Sequence, residues 1–306
     1  MRIVSLLPSA TEIVYALGMG ESLVGVTHEC DYPPEARAKP VITASALDVQ
    51  PTSAAIDRLV AGSVHDHRGL YTLDEHLLED LRPDLILTQE LCEVCAVSYR
   101  EVERAARILP GGVPIVSLEP RSLGDILDTI TLVGSLTGRE AAASEVVSGL
   151  RERIDVIATR AATAAGRPRV YCMEWIDPPF RAGHWIPELV RLVGGVEVLG
   201  REGARSTRAG WEEVAAAEPE VVVVMPCGFD VERAERELAA VRARPEWREL
   251  SAVRNGAVWV TDGSAYFSRP GPRMIDALGI LAHVLHPDLF PAPSSRALRR
   301  VGQEAA

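Results

Sequence analysis

Residues 221–230, VVVVMPCGFD, are four consecutive valines and a methionine followed by a proline, a cysteine and, three residues later, a carboxylate. The same pattern recurs in LVGVTHECDYPP (23–34), DLILTQELCEVC (84–95) and RVYCMEWIDPPF (169–180). Short apolar runs rich in β-branched residues are typical of buried strands. The residues that follow parallel strands gather at one edge of a sheet, where open α/β sheets bind ligands. The pattern therefore predicts an α/β fold built around a ligand site.

Strands and helices alternate in both halves of the chain. In the first half, the strand-like RIVSLL (2–7) precedes a helix in which Ser9 and Glu12 have the spacing of a capping box. Between the halves lies REAAASEVVSGLRERIDVIATRAATAA (139–165), a helix of about 40 Å at 1.5 Å per residue. This segment lacks the Gly-, Ser- and Pro-rich composition that is typical of a flexible hinge. The sequence predicts two Rossmann-like α/β lobes bridged by one long helix, with a ligand cleft between the lobes.

These patterns also predict the domain boundaries. We expect an N-terminal α/β lobe over residues 1–121, a helical segment with the bridging helix over 122–166 and a C-terminal α/β lobe over 167–290. The tail, 291–306, is expected to fray. Residues 45–72 fit neither a strand nor a helix assignment throughout.

Composition limits the function classes. The chain has 306 residues, of which 47% are apolar and 25% charged, as in ordinary globular proteins. A formal charge of −11 argues against nucleic acid as a partner. The first residues lack the features of a secretory signal, and no window is apolar enough to be embedded in a membrane. We expect a cytoplasmic protein as the chain is given, and an extracytoplasmic one if a leader has been removed.

Soft metal ligands follow several of the predicted strands. Thiolate and imidazole groups suit zinc and other transition metals, and Cys92 and Cys95 have the CxxC spacing. The alternative is that these are small, partly buried residues at strand ends, with Cys172 a core residue. The candidate metal ligands are His28, Cys30, Cys92, Cys95, Glu174 and Cys227.

Aromatic residues concentrate in two loops that follow predicted strands. Aromatic side chains that line a pocket bind large flat ligands through their ring faces. The alternative is that some of these aromatic residues serve interdomain packing. Two nearby arginines, Arg269 and Arg273, suit a carboxylate or phosphate of the ligand. Nucleotide-binding and hydrolase motifs are absent from the sequence. The candidate aromatic wall comprises Trp175, Phe180, Trp185, Tyr266 and Phe267.

Six segments resemble, in the same order, the helical-backbone (class III) substrate-binding proteins of ABC importers, and among these the cobalamin-binding members. The segments are SLLPSATEIVYALG, LVGVTHECDYPPEA, EDLRPDLILT, WIDPPFRAG, WEEVAAAEPEVVVV and YFSRPGPR. The resemblance covers residues 1–285 except 45–72, a segment longer than is usual in the family. It implies two lobes with a bridging helix, a cobalamin or other corrinoid ligand, and an ABC transporter permease as partner.

The resemblance also implies roles for single residues. Phe180, Tyr266, Phe267 and Arg269 match ligand contacts of the cobalamin binders. Glu29 replaces a tyrosine contact. An acidic contact is lost at Ala265, and the two glutamates that dock the transporter fall near Asp74 and on Glu212.

Three hypotheses follow. The first is a binding protein, not an enzyme, for a corrinoid or a metal complex. The second is a cytoplasmic carrier of a transition metal or metalloid that uses the cleft cysteines. The third is an enzyme with Cys30 or Cys92 as nucleophile and His28 as base.

Overall fold

A computed structural model of the protein describes residues 1–45, 51–66 (backbone only from 61), 71–89, 102, 105 and 112–302. The chain divides into two compact units. Unit 1 comprises Met1–Pro51, Arg58–Pro120 and Gly124–Gly149, and unit 2 comprises Thr52–Asp57, Arg121–Leu123 and Leu150–Ala306. The boundary between Gly149 and Leu150 falls inside one helix, Glu140–Ala161, so the long helix predicted from 139–165 contributes residues to both units.

The sheet of unit 1 has four parallel strands. The strands described in this unit are β1 (Ile3–Ser5), β2 (Leu23–Gly25), β3 (Thr43–Ser45), β4 (Tyr71–Leu73), β5 (Leu85–Thr88) and β6 (Ile115–Ser117). The sheet order is β2-β1-β5-β6, and β3 and β4 form a separate antiparallel pair. The helices that contribute residues to this unit are α1 (Pro8–Ala16), α2 (Ser53–Asp66), α3 (Glu75–Leu81), α4 (Leu123–Thr137) and α5 (Glu140–Ala161).

Helix α1 begins two residues earlier than the capping-box pattern predicts. Leu7 has an extended backbone and Pro8 occupies the first helical position, where its fixed φ suits a helix start. Ser9 is therefore inside the first turn and makes no capping hydrogen bond. The predicted capping box of Ser9 and Glu12 is wrong, and both side chains are buried.

Helix α3 covers one face of this sheet. Its Leu78 and Leu81 pack with Val4 of β1 and Ile86 of β5 in a single apolar cluster. Gly25 of β2 makes room for this packing, because a Cβ there would lie 2.8 Å from Leu81 Cδ1. The four strands pair in parallel, so they all end at the same edge of the sheet.

Unit 2 has a larger, mixed sheet. Its strands are β7 (Arg169–Trp175), β8 (Phe180–Arg181), β9 (Val196–Glu197), β10 (Thr207–Arg208), β11 (Val221–Val224), β12 (Val258–Thr261) and β13 (Leu298–Arg300). The order is β10-β8-β7-β11-β12-β13, with β9 also paired to β7. Strands β7, β11 and β12 are parallel, whereas β8, β10 and β13 pair antiparallel with their neighbours.

The described residues of unit 2 form six further helices. They are α6 (Ile186–Leu192), α7 (Trp211–Ala216), α8 (Val231–Arg242), α9 (Pro245–Glu249), α10 (Ser251–Arg254) and α11 (Met274–Leu285). Nine residues of the apolar α11 are buried, so it is a core helix. Within the described residues, no helix combines the length and the apolar composition required to cross a membrane.

The C-terminal residues correct one expectation. Strand β13 pairs with β12 in the register Trp259↔Arg300 and Thr261↔Leu298. The Arg299 guanidinium also donates to carboxylates on α8, at 2.9 Å to Glu232 and 2.6 Å to Glu235. The expected fraying is therefore wrong for residues 298–300. The predicted α/β class, with parallel strands at the centre of each sheet, is confirmed.

Candidate ligand-binding site

Three parallel strands of unit 2 end at the same edge of its sheet. The loops that follow β7, β11 and β12 begin at Ile176, Met225 and Asp262. A Cβ on Gly263 would lie 2.3 Å from the Pro226 carbonyl oxygen, so the loops after β11 and β12 are packed directly against each other. This edge is the carboxyl edge of unit 2.

Trp175, the last residue of β7, is held at this edge by two contacts. Its ring centroid lies 5.3 Å from that of Phe229, with the planes tilted by 57°. Its indole Nε1 donates to the Ser53 carbonyl oxygen at 3.1 Å. The Arg233 guanidinium lies 3.7 Å from the centroid of Phe229. Trp175 is half-buried, so part of its ring remains exposed beside a cation–π pair.

The loop after β12 carries Tyr266. Asp262 begins a single π-helical turn, Gly263–Phe267, and its carboxylate accepts from the Ala265 N–H at 2.7 Å. Tyr266 is half-buried, and the Arg273 guanidinium lies 5.8 Å from its ring centroid. A second aromatic–arginine pair is thus present on the same loop cluster.

Two predicted wall residues are packed inside the unit. Trp185 is 6% exposed and Phe267 is 3% exposed. The indole Nε1 of Trp185 donates to the Phe267 carbonyl oxygen at 3.0 Å. Both rings offer almost no surface, and their hydrogen bond joins the residues before α6 to the loop that carries Tyr266. Their role as ligand walls stays a prediction.

The remaining predicted contacts of unit 2 differ in accessibility. Arg269 is 7% exposed and its Nη2 lies 3.4 Å from Ser264 Oγ, within the same loop. Phe180 is half-buried, and its carbonyl accepts from the Tyr171 hydroxyl at 2.9 Å. Phe180 and Arg273 therefore retain exposed surface, whereas Arg269 is enclosed.

In unit 1, the residues after β2 form a polar cluster. His28 is exposed, and its Nδ1 lies 2.8 Å from Thr43 Oγ1 while its ring centroid lies 5.2 Å from that of Tyr71. The Tyr71 hydroxyl donates to Glu29 at 3.3 Å. Tyr71 belongs to the segment that the sequence left unassigned, so sequence reasoning missed its contact with two predicted site residues.

Cys30 is buried and contacts two threonine hydroxyl groups. It is 4% exposed, and its Sγ lies 3.1 Å from both Thr11 Oγ1 and Thr27 Oγ1. Reactive cysteines are usually partly exposed, whereas the thiol of Cys30 is almost completely buried. In addition, His28 Nδ1 bonds to Thr43, whereas the enzyme hypothesis requires His28 to act as the base for Cys30.

The metal hypothesis gains nothing from the described residues. Glu174 accepts from the Gly183 N–H at 3.2 Å and from the Ser206 hydroxyl. Where the chain is described, no group of three His, Cys, Asp or Glu side chains could hold a metal ion. Cys92 and Cys95 lie outside the described residues, and Cys227 is half-buried at the carboxyl edge of unit 2.

Cys172 is the core residue that the sequence suggests. It is completely buried in β7, and burial raises the pKa of its thiol well above the usual range. Its N–H donates to Glu197 at 3.1 Å, and the same carboxylate accepts from Leu199 at 2.8 Å and from Gly200. Burial is the main cause that raises the pKa of Glu197.

His184 adopts a left-handed backbone with φ of 50°, two residues before helix α6 begins. Burial, followed by the charges of Arg205 and Arg121, lowers the pKa of its imidazole. Its Nε2 is buried and has no hydrogen-bond partner within the described chain.

The two predicted docking carboxylates are both exposed. Asp74 caps α3 by accepting from the Leu77 N–H at 2.9 Å. Glu212 lies in the first turn of α7. Asp74 therefore has a local structural role that is independent of any partner.

Comparisons with known proteins agree with this architecture. The family model described as "Periplasmic binding protein" matches residues 3–265. A vitamin B12-binding protein of Vibrio cholerae is 26% identical over 281 residues, which cover 90% of this chain and 86% of the relative. An uncharacterized ABC transporter substrate-binding lipoprotein of Bacillus subtilis is 25% identical, with 94% and 81% covered. A periplasmic heme-binding protein from Pseudomonas aeruginosa has a TM-score of 0.74 at 21% identity, with 98% and 99% covered.

Proposed function

Because the chain belongs to the periplasmic binding protein family, we propose that it is the substrate-binding protein of an ABC importer, with cobalamin or a related corrinoid as its ligand. One observation carries the proposal. At the carboxyl edge of unit 2, the half-buried ring of Trp175 lies beside the Arg233–Phe229 pair, and the half-buried ring of Tyr266 is itself paired with Arg273. Large flat ligands with polar rims suit this combination of ring faces and guanidinium groups.

The choice of a corrinoid rests on the sequence relatives. The Vibrio cholerae protein, named for vitamin B12, is 26% identical over nearly the whole chain. The heme-binding neighbour is 21% identical and supports the fold alone. Because this fold also holds heme in that neighbour, an experiment must distinguish binding of heme from binding of cobalamin.

The relatives also support a binding role outside the cytoplasm. They are named as a vitamin-binding protein, a substrate-binding lipoprotein and a periplasmic protein, and none of these names describes an enzyme. The expectation of a cytoplasmic protein and that of a metal carrier have no support among them. In our proposal, the exposed carboxylates of Asp74 and Glu212 dock the loaded protein onto a permease.

Co-elution tests the ligand. The protein is mixed with an equivalent of cyanocobalamin or of hemin at micromolar concentration and passed over a sizing column. We expect the visible absorbance of cobalamin to elute with the protein at close to one equivalent, and an excess of hemin not to displace it. Elution of cobalamin only at the small-molecule volume would refute the proposal, and retention of hemin alone would reassign the ligand.

A further inference from the structure

The first turn of helix α2 lies against the candidate site, although most of the helix does not belong to unit 2. Residues 52–57 are grouped with unit 2, whereas the chain from Arg58 onward is grouped with unit 1. Ser53 is 1% exposed, and Ile56 is also buried. This turn falls in segment 45–72, to which the sequence pattern assigned no continuous strand or helix.

Ser53 connects Trp175 to helix α8. Its carbonyl oxygen accepts from Trp175 Nε1 at 3.1 Å. Its N–H and its hydroxyl both donate to Glu237 Oε2, at 2.8 and 3.0 Å. A carboxylate that accepts two hydrogen bonds from one residue fixes the orientation of that residue.

The same helix supports the other contact of Trp175. Arg233 and Glu237 are four residues apart on α8, so they share one face of the helix. Arg233 stacks on Phe229, and Phe229 packs against the Trp175 ring. One helical face thus supports Trp175 twice, through Phe229 and through Ser53.

A second anchor holds the other end of the turn. Arg208 of β10 donates to the Asp57 carboxylate at 2.9 and 2.8 Å through Nη2 and at 3.2 Å through Nε. The Asp57 side chain is 15% exposed, so this pair is partly shielded from solvent. The turn is fixed at Ser53 and again at Asp57.

From this arrangement we infer that residues 52–57 are a positioning element for the ligand wall, and that Ser53 and Glu237 set the orientation of the Trp175 indole. A hydrogen bond to an indole N–H lies in the plane of the ring, so the contact occupies an edge and leaves a ring face for the ligand. Preorganisation of this kind raises affinity because the free protein has less side-chain entropy to lose. The inference deepens the proposed function and rests on it for the identity of the ligand.

The test follows the Trp175 indole directly. The chain has five tryptophans, and the indole N–H resonance of Trp175 is assigned by its disappearance in Trp175→Phe. In Glu237→Ala we expect this resonance to shift and to exchange faster with water, and cobalamin to bind about threefold to tenfold more weakly. Glu237→Gln keeps an oxygen acceptor and should restore much of both properties.

The matched control is Glu232→Ala, on the same helix. Glu232 pairs with Arg299, whereas Ser53 bonds to Glu237, so both readouts should remain those of the wild type. If Glu237→Ala fails to fold, Asp57→Asn, which weakens the second anchor, is measured in the same way.

Two results would overturn the inference: an unchanged Trp175 resonance in Glu237→Ala, or a shifted resonance with unchanged affinity for cobalamin. Failure of the wild-type protein to retain cobalamin would refute the proposed function instead. The resonance would then still decide whether the turn holds Trp175.

Discussion

Replacing Trp185 by phenylalanine tests how the Tyr266 loop is supported. The change removes the indole donor that bonds the Phe267 carbonyl at 3.0 Å in a buried setting. A buried acceptor left without a partner costs about 1–3 kcal/mol. The smaller ring leaves unfilled space that adds about 1 kcal/mol. We expect the free energy of unfolding to fall by about 2–4 kcal/mol.

Trp211→Phe is the matched control. The indole nitrogen of Trp211 is buried and has no hydrogen-bond partner among the described residues. Its ring meets Trp247 edge-on at 6.0 Å, and a phenylalanine can keep an aromatic contact there. Since this substitution removes an unsatisfied donor, we expect a change of less than about 1 kcal/mol.

Urea unfolding monitored by circular dichroism compares the two variants, and hydrogen exchange locates the effect. In Trp185→Phe, the amides of residues 263–268 should exchange faster than in the wild type, and Trp211→Phe should leave them unchanged. Equal losses of stability in the two variants, or unaltered exchange in 263–268, would refute the assignment of Trp185 as the support of this loop.

Two further predictions concern pH. Burial raises the pKa of Glu197 in the folded state, so its contribution to stability is greatest below its ordinary pKa of 4.5 and declines as pH rises through the folded value. The stability of the wild type relative to Glu197→Gln should therefore fall from pH 4 to pH 7 in urea titrations, and a constant difference would contradict this. The pKa of His184 is lowered, so the wild type should lose stability relative to His184→Gln as pH falls below 6.5. Parallel profiles of these two proteins would show that His184 titrates as it does in the unfolded chain.

Local sequence patterns were sufficient for the strands that organise each sheet. The run 169–175 is a strand over the predicted residues, and 221–224 is the central strand beside it, because buried β-branched runs have few alternatives. Trp175 and Tyr266 were identified for a similar reason. Trp175 ends β7 and Tyr266 lies in the loop after β12, and the parallel pattern fixes the direction of both strands.

Long-range contacts account for what the sequence did not reveal. Residues 298–300 contain two arginines and have no strand pattern, yet they complete an edge of the sheet and pair with acidic residues on α8. The buried indole of Trp185 donates to a carbonyl 82 residues away. The contact of Ser53 with Trp175 joins residues 122 apart, and no local spacing encodes it.

The central claim is that the carboxyl-edge aromatic residues of unit 2 bind a corrinoid. Calorimetric titration of cobalamin into the wild type, Trp175→Ala and Tyr266→Ala tests it most directly, with Trp259→Ala as an aromatic control whose ring packs on His283. We predict that each site variant binds about tenfold or more weakly and that the control matches the wild type. Wild-type affinity in both site variants would contradict the account.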